Sequence, residues 1–466
     1  MKTLFEHLTD YSKKNRASFA MPGHKGGRGF SAEFAESIVK IDVTELDGTE
    51  NLHSPGKVIE AARKKLSEIY KSDESFFLTG GSTEGIHIML HSVFKKGRVL
   101  VNRGCHRSVI NCCALSGMEP VFIPQKIHPE LLIPMPPEVD ETERLILEND
   151  ADAVLITSPD YYGQLCDIES FAKMCHKYNL PLLVDEAHGA HLAAKGLFGG
   201  AIEKGADMAA GSAHKTLNAL NQAAYLHIKS KLIDKKRAES LTSMIGTTSP
   251  SYPIVASAEL ALSGLCDDSW QDLCNYIDEK RVQLKRNTRI ITPAGQCDRA
   301  RIVFGFVRYD ISGFKAADVF SDRFGIDVEM ADAHNVVMIA TPSNTKEEID
   351  LLFEAAEYIA DNTPPADTER RINQPPFPES VMSVRAAFLS DGESVPLNDA
   401  VGRISKTTVS AYPPGIALIA FGEPITAEMA EYISYLKEKG AHIEGTDENG
   451  EVETVSQSQF YSPEGE

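Results

Sequence analysis

The sequence predicts an α/β fold: a large domain with a mainly parallel sheet, then a small α/β domain and a C-terminal α+β region. Three observations carry this expectation. Between about residues 76 and 230, short β-prone runs alternate with helical patterns, as in a parallel sheet covered by helices. Polar residues stand at the carboxyl ends of those runs, where open α/β sheets hold their ligands. After a long helical stretch, roughly 254 to 288, the alternation resumes on a smaller scale.

The elements follow in chain order. A glycine-rich turn, Leu78-Thr79-Gly80-Gly81-Ser82-Thr83-Glu84-Gly85, precedes the amphipathic stretch Ile86 to Phe94, and such a helix start favours an anion. The run Arg98 to Asn102 leads to His106, and Ala153 to Thr157 leads to Asp160 and Tyr161. Behind an N-cap at Asp167, Ile168, Phe171, Ala172 and Cys175 fall at i, i+3, i+4 and i+7, the apolar stripe of a helix lying on the sheet. The run Leu182 to Val184 leads to Asp185, Met208 to Gly211 leads to Lys215, and Ala223 to Ile228 is a further strand. In the second unit, Ile302 to Val307 and Val336 to Ala340 read as strands, with helices near Lys315 to Arg323 and Lys346 to Ala360. The proline-rich pieces Asn362-Thr363-Pro364-Pro365 and Gln374-Pro375-Pro376 read as a linker. The expected division is 1–290 for the N-terminal segment and large domain, 291–363 for the small domain, and 364–466 for the C-terminal domain, whose acidic tail, from Asp447, is expected to end in disorder.

Bulk composition narrows the function. A chain of 466 residues with 42% hydrophobic and 24% charged residues has material for a substantial core. A formal charge of −20 repels nucleic acid and anionic membrane but not a small cationic or zwitterionic substrate. The eight cysteines include no C-x-x-C pair, and neither a signal-peptide core nor a membrane-length apolar run is present. The expectation is a cytoplasmic enzyme with reduced thiols.

Two residues then suggest the chemistry. Lys215 sits in Ser212-Ala213-His214-Lys215-Thr216, and Asp185 opens Asp185-Glu186-Ala187-His188 at the end of an apolar run. A pyridoxal phosphate enzyme needs a lysine amine to hold the cofactor and a carboxylate to keep its ring nitrogen protonated. Ser82, Thr83, Ser212 and His214 can donate to a phosphate, His106 can stack on a ring, and His188 can stand beside it. Taken singly, each has a plainer reading: a loop lysine, a helix-capping aspartate, a structural glycine turn, a loop histidine. Their combination favours the cofactor site.

On these residues the chain resembles the bacterial ornithine/lysine/arginine decarboxylases of the short type that lacks an N-terminal wing domain. The matching segments are Met21-Pro22-Gly23-His24-Lys25, Asp42-Val43-Thr44-Glu45, Leu52-His53-Ser54-Pro55, Cys105-His106, Asp185 to His191 and Ser212 to Leu217. They continue through Thr248-Ser249-Pro250-Ser251-Tyr252-Pro253, Val401 to Ser405, Tyr412-Pro413-Pro414-Gly415-Ile416 and Gly422-Glu423. The resemblance implies a type I pyridoxal-dependent fold similar to aspartate aminotransferase. It also implies a homodimer with shared active sites and α-decarboxylation of arginine, lysine or ornithine for polyamine synthesis. By the same resemblance Lys215 would form the Schiff base, Asp185 would bind the pyridinium nitrogen, His106 would stack on the ring and His188 would lie beside it. Ser82, Thr83, Ser212 and His214 would hold the phosphate, Thr248, Ser249 and Ser251 would come from the partner subunit, and Glu423 would meet the distal cation of the substrate. One departure stands at the phosphate turn: similar proteins carry Asn-Gly-Thr-Ser or Asn-Gly-Thr-Thr where this chain has Thr79-Gly80-Gly81-Ser82-Thr83.

Competing readings remain at this level. Asp185-Glu186-Ala187-His188 spells a helicase box, but the phosphate loop such motors need is missing. Asp185, His188 and His191 could be drawn as a metal site, although no further ligand is evident, and none is expected. Another pyridoxal reaction, such as transamination, aldol cleavage or desulfuration, would use the same lysine and aspartate, and a non-catalytic protein could retain the fold.

Overall fold

The computed structural model describes residues 2–14, 16–366, 374–412 and 415–456. Its centre is a seven-stranded sheet. In chain order the strands are β1 (Glu74–Leu78), β2 (Arg98–Asn102), β3 (Glu119–Ile123), β4 (Ala153–Thr157), β5 (Leu182–Asp185), β6 (Met208–Gly211) and β7 (Ala224–Ile228). Their order across the sheet is β1-β7-β6-β5-β4-β2-β3. From β6 to β3 all pairings are parallel, while β7 runs antiparallel to both β6 and β1. The mainly parallel sheet is therefore present. It includes two strands, Glu74–Leu78 and Glu119–Ile123, that the sequence pattern did not single out.

Strands β4, β5, β6 and β7 are buried along their whole length, which is why they read as continuous apolar runs rather than alternating ones. Helices cover both faces. Ile168–Lys177 starts as its spacing predicts, with the Ser170 N–H donating to Asp167 Oδ1 at 3.1 Å. It packs with Leu100, Val154, Ile156 and Val184 on one side of the sheet. Gly81–Val93 and Arg107–Ser116 pack with Val99, Val101, Leu155 and Leu183 on the other.

The smaller unit joins Arg301–Gly305 and Asn335–Ile339 antiparallel, with Met330–Ala331 at the edge. Helices Gly313–Phe324 and Lys346–Asp361 back it. The N-terminal segment reaches across to this unit, since Ala17–Ser18 pairs in parallel with Ile326–Asp327. In the C-terminal region, Val409–Ala411 lies between Ile416–Ile419 and Ile443–Glu444, and helix Ala427–Lys439 adds to its core. Part of the acidic stretch is ordered structure, because Glu451–Val455 pairs antiparallel with Gly392–Pro396. The remainder of that stretch, 457–466, and Pro413 and Pro414 lie outside the described residues. All eight cysteines are free thiols. Among the described residues, no helix is long and apolar enough to cross a membrane.

Candidate active site

Parallel strands end on one edge of the sheet, and there the polar residues gather. Asp185 is the last residue of β5 and only 1% exposed. Its Oδ1 accepts from the Ala187 N–H at 3.1 Å, and burial raises its pKa, opposed by the charge of Lys215. The turn after β6 carries Ser212 and the short helix Ala213–Thr216, which presents Lys215. Lys215 Nζ lies 3.1 Å from His188 Nε2 and 5.8 Å from the ring centre of Tyr161. Burial lowers the Lys215 pKa, against the attraction of Asp185 and Glu329 and with the repulsion of Arg301.

The Met21 to Lys25 segment rests directly on this turn. The Gly23 N–H donates to the His214 carbonyl at 2.8 Å, and a Cβ on Gly23 would come within 2.4 Å of the Leu217 carbonyl oxygen. Only glycine fits there. Where β1 turns into helix Gly81–Val93, Ser212 Oγ donates to Ser82 Oγ at 2.9 Å, and both residues are buried. His214 Nδ1 is 3.0 Å from the Ala223 carbonyl oxygen, and burial lowers its pKa to about 4. Beyond β2, His106 caps helix Arg107–Ser116, its Nδ1 accepting from the Ser108 N–H at 3.2 Å. Burial, then Lys215 and Arg107, push its pKa down to about 4. The imidazole is therefore neutral at physiological pH.

The structure thus brings together Lys215, Asp185, His106, His188, Ser82, Ser212 and His214. Thr83 is exposed and lines a cavity of about 500 Å³ with Ser249 and Ser251 of the same chain, while Thr248 is exposed. Glu423 is engaged within the protein. It is 0% exposed and both carboxylate oxygens accept from Arg103, Oε2 at 2.9 Å from Nη2, so it offers no free charge to a substrate cation. His191 Nε2 faces Asp298 Oδ1 at 3.0 Å, both nitrogens of His188 have other partners, and no cluster suited to a metal exists among the described residues.

Sequence reasoning missed Arg301 and Glu329. Arg301 Nη2 donates to His188 Nδ1 at 2.9 Å, and its Nε and Nη1 are buried without a partner. Its signal was present, a basic residue directly opening the buried run Ile302 to Val307. Glu329 had none; its carboxylate accepts from the Met21 N–H at 2.8 Å and acts on Lys215 through space.

Comparison with known proteins gives this geometry its family. The profile described as "Orn/Lys/Arg decarboxylase, major domain" matches residues 2–303, and "Orn/Lys/Arg decarboxylase, C-terminal domain" matches residues 368–454. The chain belongs to the Orn/Lys/Arg decarboxylases. It is 31% identical to the arginine decarboxylase of Bacillus anthracis, over 99% of this chain and 98% of that one. The arginine decarboxylase of Bacillus subtilis is 30% identical, with 96% of each covered. Among solved structures, the Francisella novicida lysine decarboxylase superposes with a TM-score of 0.76 at 20% identity, covering 97% of this chain and 80% of that one. A ureidoglycine-glyoxylate aminotransferase from Bacillus subtilis shares the fold less completely, with a TM-score of 0.58 at 12% identity over 74% of this chain and 93% of that one.

This decarboxylase family works on basic amino acids with pyridoxal phosphate, and the donor set of this chain fits that cofactor. A part-buried amine stands near a buried carboxylate, two hydroxyls meet at a helix start, and a neutral imidazole lies within reach of the amine's charge.

Proposed function

We propose that this protein is an arginine decarboxylase, releasing CO2 and the corresponding amine. One observation carries the choice of substrate: full-length likeness, at 31% identity, to a curated arginine decarboxylase. Pyridoxal phosphate, when bound, supplies an electron-accepting ring that takes up the electron pair left at Cα as the carboxylate departs. The protein's own residues do the rest. Lys215 would hold the cofactor through its amine. Asp185, buried beside it, keeps a proton on the ring nitrogen. His106 would stack on the cofactor ring. Ser82, Thr83, Ser212 and His214 hold the phosphate at the start of helix Gly81–Val93. His188 stays hydrogen-bonded beside Lys215, and one of the two returns a proton to Cα.

The proposal extends to a cytoplasmic homodimer in which the exposed Thr248 and Ser249, with Ser251, complete the partner's site. Eight unpaired thiols support the compartment, and the exposure of the 247–249 segment supports the shared site. Amine and CO2 release should be measured from arginine, lysine and ornithine separately, together with the sedimentation mass of the loaded protein. The expected result is a dimer with kcat/KM for arginine at least about tenfold above the others. A preference for lysine or ornithine refutes the substrate, and no release from any refutes the reaction.

A further inference from the structure

We propose that Arg301 is a positioning residue: it fixes the hydrogen-bond polarity of His188 and thereby holds Lys215 as a free amine. The inference rests on the reading of Lys215 as the residue that captures the cofactor aldehyde, a step that only an unprotonated amine performs.

The argument begins with what each group can do. A guanidinium has donors and no acceptor, and it remains charged in proteins. Arg301 Nη2 lies 2.9 Å from His188 Nδ1, so Nδ1 must accept. Burial disfavours a charged His188, and the permanent charge of Arg301 adds to that effect. A neutral imidazole that accepts at Nδ1 carries its proton on Nε2. That nitrogen stands 3.1 Å from Lys215 Nζ. An ammonium has no lone pair with which to accept, whereas a neutral amine has one. The relay from Arg301 through His188 to Lys215 therefore has one consistent direction, and it ends on a free amine. Rotating the ring by half a turn would set carbon atoms against both partners and lose both bonds.

Arg301 is held rigidly enough to impose this. It is 2% exposed and opens the strand Arg301–Gly305, paired with Ile339. Gly163 lies against its stem with φ at +82°, and a Cβ there would sit 2.6 Å from Arg301 Cβ. Asp298, Glu329 and Asp160 balance its charge. The groups facing Lys215 pull in opposite directions. Asp185 and Glu329 favour the ammonium, and Arg301 opposes them, while the Tyr161 ring lies over the amine. Arg301 thus acts twice on Lys215, by charge and through the histidine. The remaining neighbours, His106 and His214, have pKa values near 4 and carry no charge at working pH.

Competitive acetylation tests this on the cofactor-free full chain. Acetic anhydride reacts with unprotonated amines, and the Lys215 peptide is quantified by mass spectrometry from pH 6 to 11. The expected midpoint for the parent protein lies below that of an ordinary lysine. Arg301→Met raises it by about one pH unit, a tenfold change in the amine-to-ammonium ratio, and Arg301→Lys restores most of the difference. A parent midpoint at the ordinary lysine value, or a folded Arg301→Met protein with the parent's midpoint, overturns the proposal. If Arg301→Met does not fold, nitrogen-15 spectra of histidine-labelled parent protein decide instead, with His188 assigned through His188→Asn. A proton on Nε2 supports the relay and a proton on Nδ1 overturns it. Neither readout needs turnover, so a failed decarboxylation assay leaves both interpretable.

Discussion

Asp185 and Glu423 are both almost wholly buried carboxylates, and their surroundings separate their roles. Asp185 accepts a hydrogen bond from the Ala187 backbone N–H and faces the Lys215 side chain. Replacing it with Asn keeps the shape and removes the charge. Asp185→Asn should still capture the cofactor, seen as visible absorbance, while kcat falls on the order of 10²-fold or more. An unchanged kcat would remove it from the proposed role. Glu423 is tied to Arg103, whose guanidinium also lies 4.5 Å from the Phe122 ring centre and 4.3 Å from that of Phe377. Removing one partner of such a pair strands a buried charge. Glu423→Ala should lose about 3–5 kcal/mol in denaturant titration, with KM for substrate within about twofold of the parent. A raised KM at unchanged stability would restore Glu423 as a substrate anchor. Lys215 and Asp185 were legible because each follows its own apolar run in the sequence. The Arg301–His188 contact spans 113 residues and the Arg103–Glu423 contact 320, distances over which local pattern carries no information.

Elements were legible where burial is uniform. The runs β4, β5 and β6 are buried on both faces and announce themselves as apolar blocks. Strand β3, Glu119–Ile123, sits at the sheet edge, is only partly buried and contains Pro120, so its pattern is weak. Strand β1 begins with Glu74 and Ser75, and Ser75 makes sense only against its neighbour β7, where its Oγ is 2.8 Å from His227 Nδ1. His227 is 0% exposed and stacks on Tyr70, with ring centres 4.1 Å apart. Burial lowers its pKa to about 3. The folded value lies below the unfolded one, near 6.5, so its contribution to stability is full above pH 6.5 and is lost as pH falls toward 3. Between pH 7 and pH 4 this one group removes about 3 kcal/mol. His227→Phe keeps the ring and abolishes the titration. The parent should lose about 3 kcal/mol more than the variant over that interval, measured by urea titration at both values, and parallel losses would show that His227 accepts its proton without unfolding.

At the scale of the whole molecule, the C-terminal region meets the large domain beside the candidate site. Arg103, which follows β2, is neutralised by Glu423 from that region, and its Nη2 also donates to the Leu418 carbonyl at 3.3 Å. Three residues on, His106 forms an isolated bridge with Ile416, so the loop that carries the ring-stacking candidate is held from both sides. Composition and periodicity gave only a third region here; its connection to the site was legible through motif likeness alone, because the contacts join distant parts of the chain. A chain shortened to end at Ala366 loses Glu423, Leu418 and Ile416 together. It keeps Lys215, Asp185 and the Thr79–Thr83 turn, but Arg103 loses its carboxylate partner and the Phe377 ring that covers it, and His106 is left in a loop open on one side. Such a chain should melt at a lower temperature and capture pyridoxal phosphate more weakly, by about tenfold or more in a visible-absorbance titration. If it melts as the full chain does and binds the cofactor equally well, the C-terminal region has no part in shaping the β2 edge, and the His106 loop holds its position through the large domain alone.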